Sequence, residues 1–231
     1  MLQRIPTDCR TIDNFLGGGL LSGNISLIYG EAETGKTTLA SQCVVNCAKQ
    51  GSKILFIDCD GTFSAKRLSQ IASERFDEIA ESVILMRPEN FQQQAMIINK
   101  LGDYITGNFG LVVIDTINSL YRAQIAESPK TFSLNRELNK QLATLAQLAR
   151  TKKIVILVLS QVRTAFREEH ASIEPVATRV LKFWGDTIIN LMPTETPRLI
   201  KAILEKNSPQ VQPIICYLSI SASGICERSP R

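Results

Sequence analysis

The sequence has no long hydrophobic run. No window approaches about 18 consecutive apolar residues, so a membrane-spanning helix is not expected. The opening residues, "MLQRIPTDCR", also lack the apolar block of a secretory signal peptide. We therefore expect a cytoplasmic protein with no membrane attachment.

Closely spaced cysteines and histidines, which would indicate a metal site, are also scarce. The six cysteines include no CxxC pair, and the single histidine, His170, lies far along the chain from Cys43 and Cys47, which are spaced to share one helix face. A metal site is conceivable there, but buried thiols in a reducing cytosol are the preferred interpretation. The net charge of +4 is mild and permits an anionic partner without requiring one.

The main feature that is present is an alternation of apolar strands with amphipathic helices. Segments such as "LVVID" and "IVILVLS" are apolar throughout, as expected when helices cover both faces of a parallel sheet. The 231 residues suffice for one sizeable α/β domain, or at most two small ones, and we favour a single domain over 1–231. Predicted strands span 25–30, 53–58, 82–87, 110–115 and 153–160, and predicted helices span 36–49, 64–75, 90–106 and 132–151.

The pattern changes from about residue 183. The segments "WGDTIINLM", "RLIKAILEKN" and "PIICYLSI" follow one another with short breaks at prolines, which predicts antiparallel strands at one edge of the sheet. Two connections, 116–131 and 162–178, are long for a compact domain. Both follow carboxyl ends of predicted strands, where open α/β sheets bind ligands, so we interpret them as functional loops.

One strand–loop–helix segment matches the phosphate-binding pattern G-x-x-x-x-G-K-[ST]. Its glycines let backbone N–H groups surround phosphate oxygens, which the start of the following helix also attracts. Lys36, expected on an exposed loop, should reach the β- and γ-phosphates, and the Thr37 hydroxyl should bind Mg²⁺. Thr38 adds a phosphate contact or packs in the first helical turn. A simple tight turn is the less favoured alternative. The nucleotide-binding residues are Gly30, Glu31, Ala32, Glu33, Thr34, Gly35, Lys36 and Thr37.

Polar residues at other strand ends support an ATPase. Asp115 ends the strand "LVVID", where a carboxylate would hold Mg²⁺ through water; the alternative is a cap for the next segment. Asp58 and Asp60 end the second strand, and Gln161 ends the fifth, where an amide could sense the γ-phosphate. "NKLGD" at 99–103 is not the guanine-specific NKxD and does not follow a strand, so GTP is not supported.

Several motifs in order resemble the RecA-type recombinases, most closely their archaeal RadB branch. The motifs are "TIDNFLGGGLLSGNISLIYGEAETGKTTLA", "FIDCDGTFSAKRL", "LVVIDTINSLYRA", "VLSQV" and "SISASGICE". The resemblance implies a RecA-like P-loop core with a mostly parallel central sheet flanked by helices. It also implies catalytic roles for Asp60, Lys36 and Gln161, and it places Arg67 near the adenine.

The departures from that family bear on activity. The helix-hairpin-helix domain and polymerisation phenylalanine of the RadA-like recombinases are not expected, because the "LGGG" segment begins so early. The family's catalytic glutamate aligns with Asp60, which is one methylene shorter, and a misplacement of that size can reduce catalysis heavily. The family's "PIGG" aligns with residues 175–178, which lack glycine, so that loop should be stiffer or differently used.

The two long loops match the DNA-binding loops of RecA-type cores. Arg122, Arg163 and Arg167 suit phosphate contacts, and Phe166 suits base stacking. Nearby glutamates dilute this charge, and an ordinary mixed-charge surface is the alternative from the residues alone. The family resemblance favours DNA.

The combined interpretation is an ATP- and DNA-binding accessory protein of archaeal homologous recombination and DNA repair, with weak ATPase activity. The resemblance implies RadA recombinase and a Holliday-junction resolvase as partners. Two alternatives stay open. One is a KaiC-like signalling ATPase, although "DCDG" lacks the adjacent carboxylates usual in that class. The other is a nucleotide-gated adaptor without catalysis.

Overall fold

The computed structural model describes residues 3–127, 131–162, 176–207 and 212–227. The strands in these ranges are β1 (Arg4–Ile5), β2 (Leu20–Leu21), β3 (Ile25–Gly30), β4 (Lys53–Asp58), β5 (Val83–Met86), β6 (Phe109–Asp115), β7 (Val155–Gln161), β8 (Thr187–Pro193), β9 (Leu199–Asn207), β10 (Ile214–Ser221) and β11 (Gly224–Glu227). Nine of these described strands form one sheet in the order β11-β10-β9-β8-β3-β7-β6-β4-β5, and β1 pairs with β2.

The centre of the sheet is parallel, as predicted. Strand β3 pairs with β7 and β8, β6 pairs with β7 and β4, and β4 pairs with β5. Successive residues such as Val112 and Val113 belong to different hydrophobic clusters, because a core lies on each face of the sheet. This burial on both faces explains the uninterrupted apolar strands. The five predicted strands differ from the observed ones by at most two residues at either end.

Helices cover both faces of the sheet. They are α1 (Arg10–Leu16), α2 (Lys36–Lys49), α3 (Ala65–Ala72), α4 (Phe76–Ala80), α5 (Phe91–Tyr104), α6 (Ser119–Glu127), α7 (Thr131–Lys152) and α8 (Val176–Trp184), with a 3₁₀ turn at Ser73–Arg75. Side chains of Ser64 and Asn90 accept hydrogen bonds from the first turns of α3 and α5, which fixes where those helices begin. None of the helices in the described ranges is long and apolar enough to cross a bilayer.

The C-terminal strands extend the sheet at one edge. Strands β9, β10 and β11 are antiparallel, as predicted, but β8 runs parallel to β3 and only its other side is antiparallel to β9. The outer edge of β11 is covered by Gln42 of α2, whose Oε1 accepts from Ile225 N at 2.7 Å and whose Nε2 donates to Ile225 O at 2.9 Å. The side chain thus satisfies backbone groups that an edge strand leaves open.

Two predictions about loops need correction. The connection predicted at 116–131 is mostly α6, and residues 176–178 of the second connection belong to α8. Helix α6 has a weakly amphipathic sequence, and Tyr121 is its only buried residue among those described. Its helical state therefore depends on packing against α5 and α7, which a sequence pattern does not reveal. Residues 128–130 and 163–175 lie outside the described part of the chain.

Candidate nucleotide site

The phosphate-binding loop connects the end of β3 to the start of α2. Gly35, the residue before α2, has φ of 85°, a left-handed conformation that favours glycine. A Cβ at Gly30 would lie 2.0 Å from Leu191 O, because β8 passes directly beside this residue. The Thr34 hydroxyl donates to Glu31 O at 2.9 Å and holds the loop's curve. The N-terminus of α2 and the backbone N–H groups of this loop are therefore together suited to bind an anion.

Lys36 is buried, contrary to the expectation of an exposed loop position. It is the first residue of α2, its relative exposure is 7%, and its Nζ donates to Glu31 O. Burial lowers the pKa of the Lys36 ammonium, and the carboxylates of Asp115 and Asp60 oppose that shift. An ammonium held in a partly desolvated site attracts a phosphate more strongly than one in water.

Asp115 and Thr37 form the pair that could hold a divalent cation. The Thr37 hydroxyl donates to Asp115 Oδ2 at 2.7 Å, although the two residues lie on different elements. The pKa of the Asp115 carboxyl is raised to about 6, mainly by burial and also by the nearby charges of Asp60 and Asp58, and the hydrogen bond from Thr37 opposes the shift. Hydroxyl and carboxylate oxygens are the ligands that Mg²⁺ prefers, so this pair fits the ion.

The structure separates the two aspartates at the end of β4. Asp58 is buried and accepts hydrogen bonds from Thr62 N, Phe63 N and Arg87 Nε, the last at 3.1 Å, so its carboxylate organises the loop. Asp60 is partly exposed, and its Oδ2 accepts from the Thr116 hydroxyl at 2.9 Å. Asp60 is therefore the candidate with an oxygen available for water.

Gln161 lies beside the first residue of the phosphate loop. It pairs with Gly30 in the parallel ladder, and Val162 N donates to Gly30 O at 3.1 Å. The backbone of Gln161 is also bonded to the side chain of Asn118, and Arg122 NH1 donates to Gln161 O at 3.1 Å. Asn118 and Thr116 were not predicted, because each acts through a contact with a distant strand end.

A hollow next to the phosphate loop is large enough for a base and sugar. It has a volume of about 390 Å³ and shares Thr38 and Ile220 with the smaller hollow of about 230 Å³ over Lys36 and Thr37. Arg67, which was predicted to lie near the adenine, lines the larger hollow, and its guanidinium donates to Ser221 O and Ala222 O at 2.7 Å each. The other residues that line the larger hollow are Gln70, Arg198, Ile220, Ser221 and Ala222.

The residues Arg198 and Ile220 were missed from the sequence. They come from the connection between β8 and β9 and from β10, and the bond from Ile220 N to Arg198 O, 2.8 Å long, joins them. Only the folding of the C-terminal strands over α2 brings them to the site. Of the predicted DNA contacts, Arg122 lies in α6 and its guanidinium donates to Gln161 O at the end of β7, whereas Arg163 and Arg167 lie outside the described residues.

Comparison with known proteins adds the decisive observation. The model of the Rad51 family matches residues 1–228. The chain belongs to the Rad51 family. The DNA repair and recombination protein RadB of Methanococcoides burtonii is 31% identical over 96% of this chain and 97% of its own length. The DNA repair and recombination protein RadB of Thermococcus gammatolerans is 36% identical over 96% of this chain and 97% of its own length.

A solved structure agrees with the sequence comparisons. The crystal structure of the RadB recombinase has a TM-score of 0.82 and 31% identity to this chain, covering 97% of this chain and 100% of that one. The predicted RecA-like fold and the resemblance to the RadB branch are thereby confirmed. Members of the Rad51 family are ATPases in general.

Proposed function

We propose that this Rad51-family protein binds ATP with Mg²⁺ and acts with DNA in homologous recombination and repair, as a weak ATPase. The observation that carries the proposal is one cluster. Lys36 and Thr37 line the phosphate hollow, Asp115 accepts a hydrogen bond from the Thr37 hydroxyl, and the hollow shares Thr38 and Ile220 with the hollow at Arg67. The names of the relatives as DNA repair and recombination proteins support the biological process.

Each of these residues contacts a different part of the nucleotide. Lys36 binds the β- and γ-phosphates, the backbone from Glu31 to Gly35 surrounds them, and Thr37 and Asp115 hold Mg²⁺. The bound ion neutralises charge on the phosphates. Arg67 presents a planar cation on which a base can stack, and Thr38 adds a hydroxyl between the two hollows.

Weak hydrolysis follows from the environment of Asp60. This carboxylate orients and deprotonates water, and Gln161 senses the γ-phosphate. The aspartate is one methylene shorter than the family's glutamate, and the hydroxyl of Thr116 occupies one of its oxygens at 2.9 Å.

The proposed partners complete this function. Arg122, Arg163 and Arg167 contact the phosphates of single-stranded or branched DNA, and the protein works in the cytoplasm with a RadA recombinase and a Holliday-junction resolvase. A nucleotide-gated adaptor without catalysis is the second candidate, because the bond between Thr116 and Asp60 restrains the base.

Single-turnover ATP hydrolysis, with and without single-stranded DNA, tests the proposal. We expect slow turnover in the native protein and faster turnover in Asp60→Glu, because the longer side chain returns the carboxylate to the family's reach. Asp58→Glu is the matched control, since Asp58 is committed to Arg87 and to the loop, and it should not speed hydrolysis. No hydrolysis in either the native protein or Asp60→Glu would favour the adaptor.

A further inference from the structure

Asn118 joins the turn after the Mg²⁺-binding strand to the end of β7. It lies three residues after Asp115 and is 3% exposed. Its Nδ2 donates to Gln161 O at 3.0 Å, and its Oδ1 accepts from Gln161 N at 3.3 Å. The carboxamide therefore makes both bonds that a neighbouring strand would make with one residue.

This pair of hydrogen bonds takes the place of backbone pairing between β6 and β7, which ends before Gln161. The parallel ladder between β6 and β7 ends at Ile114 and Val158, after which β6 turns towards α6. Ile117 N still donates to Leu159 O at 3.0 Å, and the Asn118 side chain continues the connection to Gln161. On its other side Gln161 pairs with Gly30. Gln161 is thus held between the phosphate loop and the turn that follows Asp115.

Arg122 strengthens the same attachment. Its NH1 donates to Gln161 O at 3.1 Å, and its backbone N donates to Asn118 O at 3.1 Å, one helical turn away. Two side-chain donors therefore converge on one carbonyl oxygen and fix the plane of the peptide that follows Gln161. The direction of the Gln161 side chain depends on that backbone orientation.

We propose that Asn118 is a positioning residue that sets the ability of Gln161 to distinguish ATP from ADP. The inference rests on the proposed role of Gln161 as the γ-phosphate sensor. The chemistry requires an amide at position 118. An aspartate has no donor for Gln161 O and places a negative charge beside that oxygen, whereas an alanine leaves both Gln161 backbone groups without this partner.

The test compares affinities for ADP and for a non-hydrolysable ATP analogue, both with Mg²⁺, by titration calorimetry. In Asn118→Asp the preference for the analogue over ADP should fall by about fivefold, the size expected from one net hydrogen bond. The affinity for ADP should stay within about twofold, because Asn118 does not touch the β-phosphate groups of the site. Asn139→Ala, which removes an asparagine bonded to Trp184, is the matched control and should leave the preference unchanged.

A double-variant cycle separates positioning from a general effect on folding. Gln161→Ala should itself lower the analogue preference, and Asn118→Asp combined with Gln161→Ala should lower it no further. Additive losses, or an unchanged preference in Asn118→Asp while Gln161→Ala loses it, overturn the inference and leave the proposed function intact. If Gln161→Ala keeps the full preference, the sensor role of Gln161 and the inference fail together. Should Asn118→Asp not fold, Asn118→Ser enters the same cycle with the same expectations.

Discussion

At the scale of single residues, Lys36 is a buried ammonium whose main electrostatic partner is the phosphate of a bound nucleotide. We expect Lys36→Ala to abolish binding of a fluorescent ATP analogue without lowering the melting temperature of the ligand-free protein. The pKa of Lys36 is lowered in the fold by burial, so its ammonium is a cost to stability at neutral pH that alanine removes.

Lys49→Ala is the matched control for this prediction. Lys49 is the exposed last residue of the same helix, and its loss should leave nucleotide affinity unchanged. Retained nucleotide affinity in Lys36→Ala contradicts the assignment of the phosphate site.

Asp115 gives a second residue-scale prediction, with a defined pH dependence. Its folded pKa of about 6 lies above the ordinary aspartate value of 3.8, so the folded protein binds this proton more tightly than the unfolded chain does. The carboxylate therefore destabilises the ligand-free fold above pH 6, and the cost disappears as the pH falls towards 3.8. At about 1.4 kcal/mol per pKa unit, the full cost is about 3 kcal/mol.

We expect Asp115→Asn to raise the stability of the ligand-free protein by about 2–3 kcal/mol at pH 8 and by much less at pH 4.5, measured by denaturant unfolding. The same variant should lose the Mg²⁺ dependence of ATP binding. Asp58→Asn is the control with the opposite sign, because it weakens the bonds to Arg87 and to two backbone N–H groups. A gain in stability that does not depend on pH contradicts the mechanism.

At the scale of elements, the first glycine of the phosphate loop serves sheet packing. Strand β8 pairs with β3 so closely that a Cβ at Gly30 would lie 2.0 Å from Leu191 O. We expect Gly30→Ala to destabilise the fold by at least about 2 kcal/mol, because backbone must move to relieve the overlap. Thermal and denaturant unfolding measure this effect.

Gly102→Ala is the comparison for Gly30→Ala. Gly102 lies in α5 with no heavy atom within 4 Å of an added Cβ, so alanine should stabilise the helix by up to about 1 kcal/mol. Equal stability of the Gly30→Ala protein and the native protein contradicts the close approach of β8.

At the scale of the whole molecule, DNA binding should depend on cations of the two connections assigned to DNA, 116–131 and 162–178. We expect Arg122→Ala, Arg163→Ala and Arg167→Ala together to weaken binding of single-stranded DNA of any sequence. The dependence of log K on log salt should also become shallower, because fewer counterions are released. Titration of a labelled oligonucleotide at several salt concentrations measures both effects.

A second triple variant controls for the loss of three positive charges, with its substitutions elsewhere on the surface. Arg75→Ala, Arg150→Ala and Lys49→Ala remove three exposed cations outside the two connections assigned to DNA. This triple variant should keep the native slope of log K against log salt. Equal slopes in both triple variants remove Arg122, Arg163 and Arg167 from the DNA site. ATP binding should survive in both variants, although the loss of Arg122 removes one of the two side-chain donors to Gln161 O.

The sequence by itself determined the parallel core and the phosphate loop, because each depends on local patterns. Apolar strands of five to seven residues and the spacing of Gly30, Gly35, Lys36 and Thr37 carry their information within one segment. The bounds of α2, Lys36–Lys49, match the helix predicted at 36–49.

Tertiary structure decided what depends on contacts between distant segments. The helical state of α6, the burial of Lys36, the wall formed by Arg198 and Ile220, and the bonds of Asn118 to Gln161 all need contacts with other elements of the chain. Asp58 and Asp60 have the same side chain and lie two residues apart in the motif, and only their tertiary contacts separate a loop anchor from a candidate base. Partner atoms on other elements set the burial, charge and orientation of a side chain, and local sequence does not contain them.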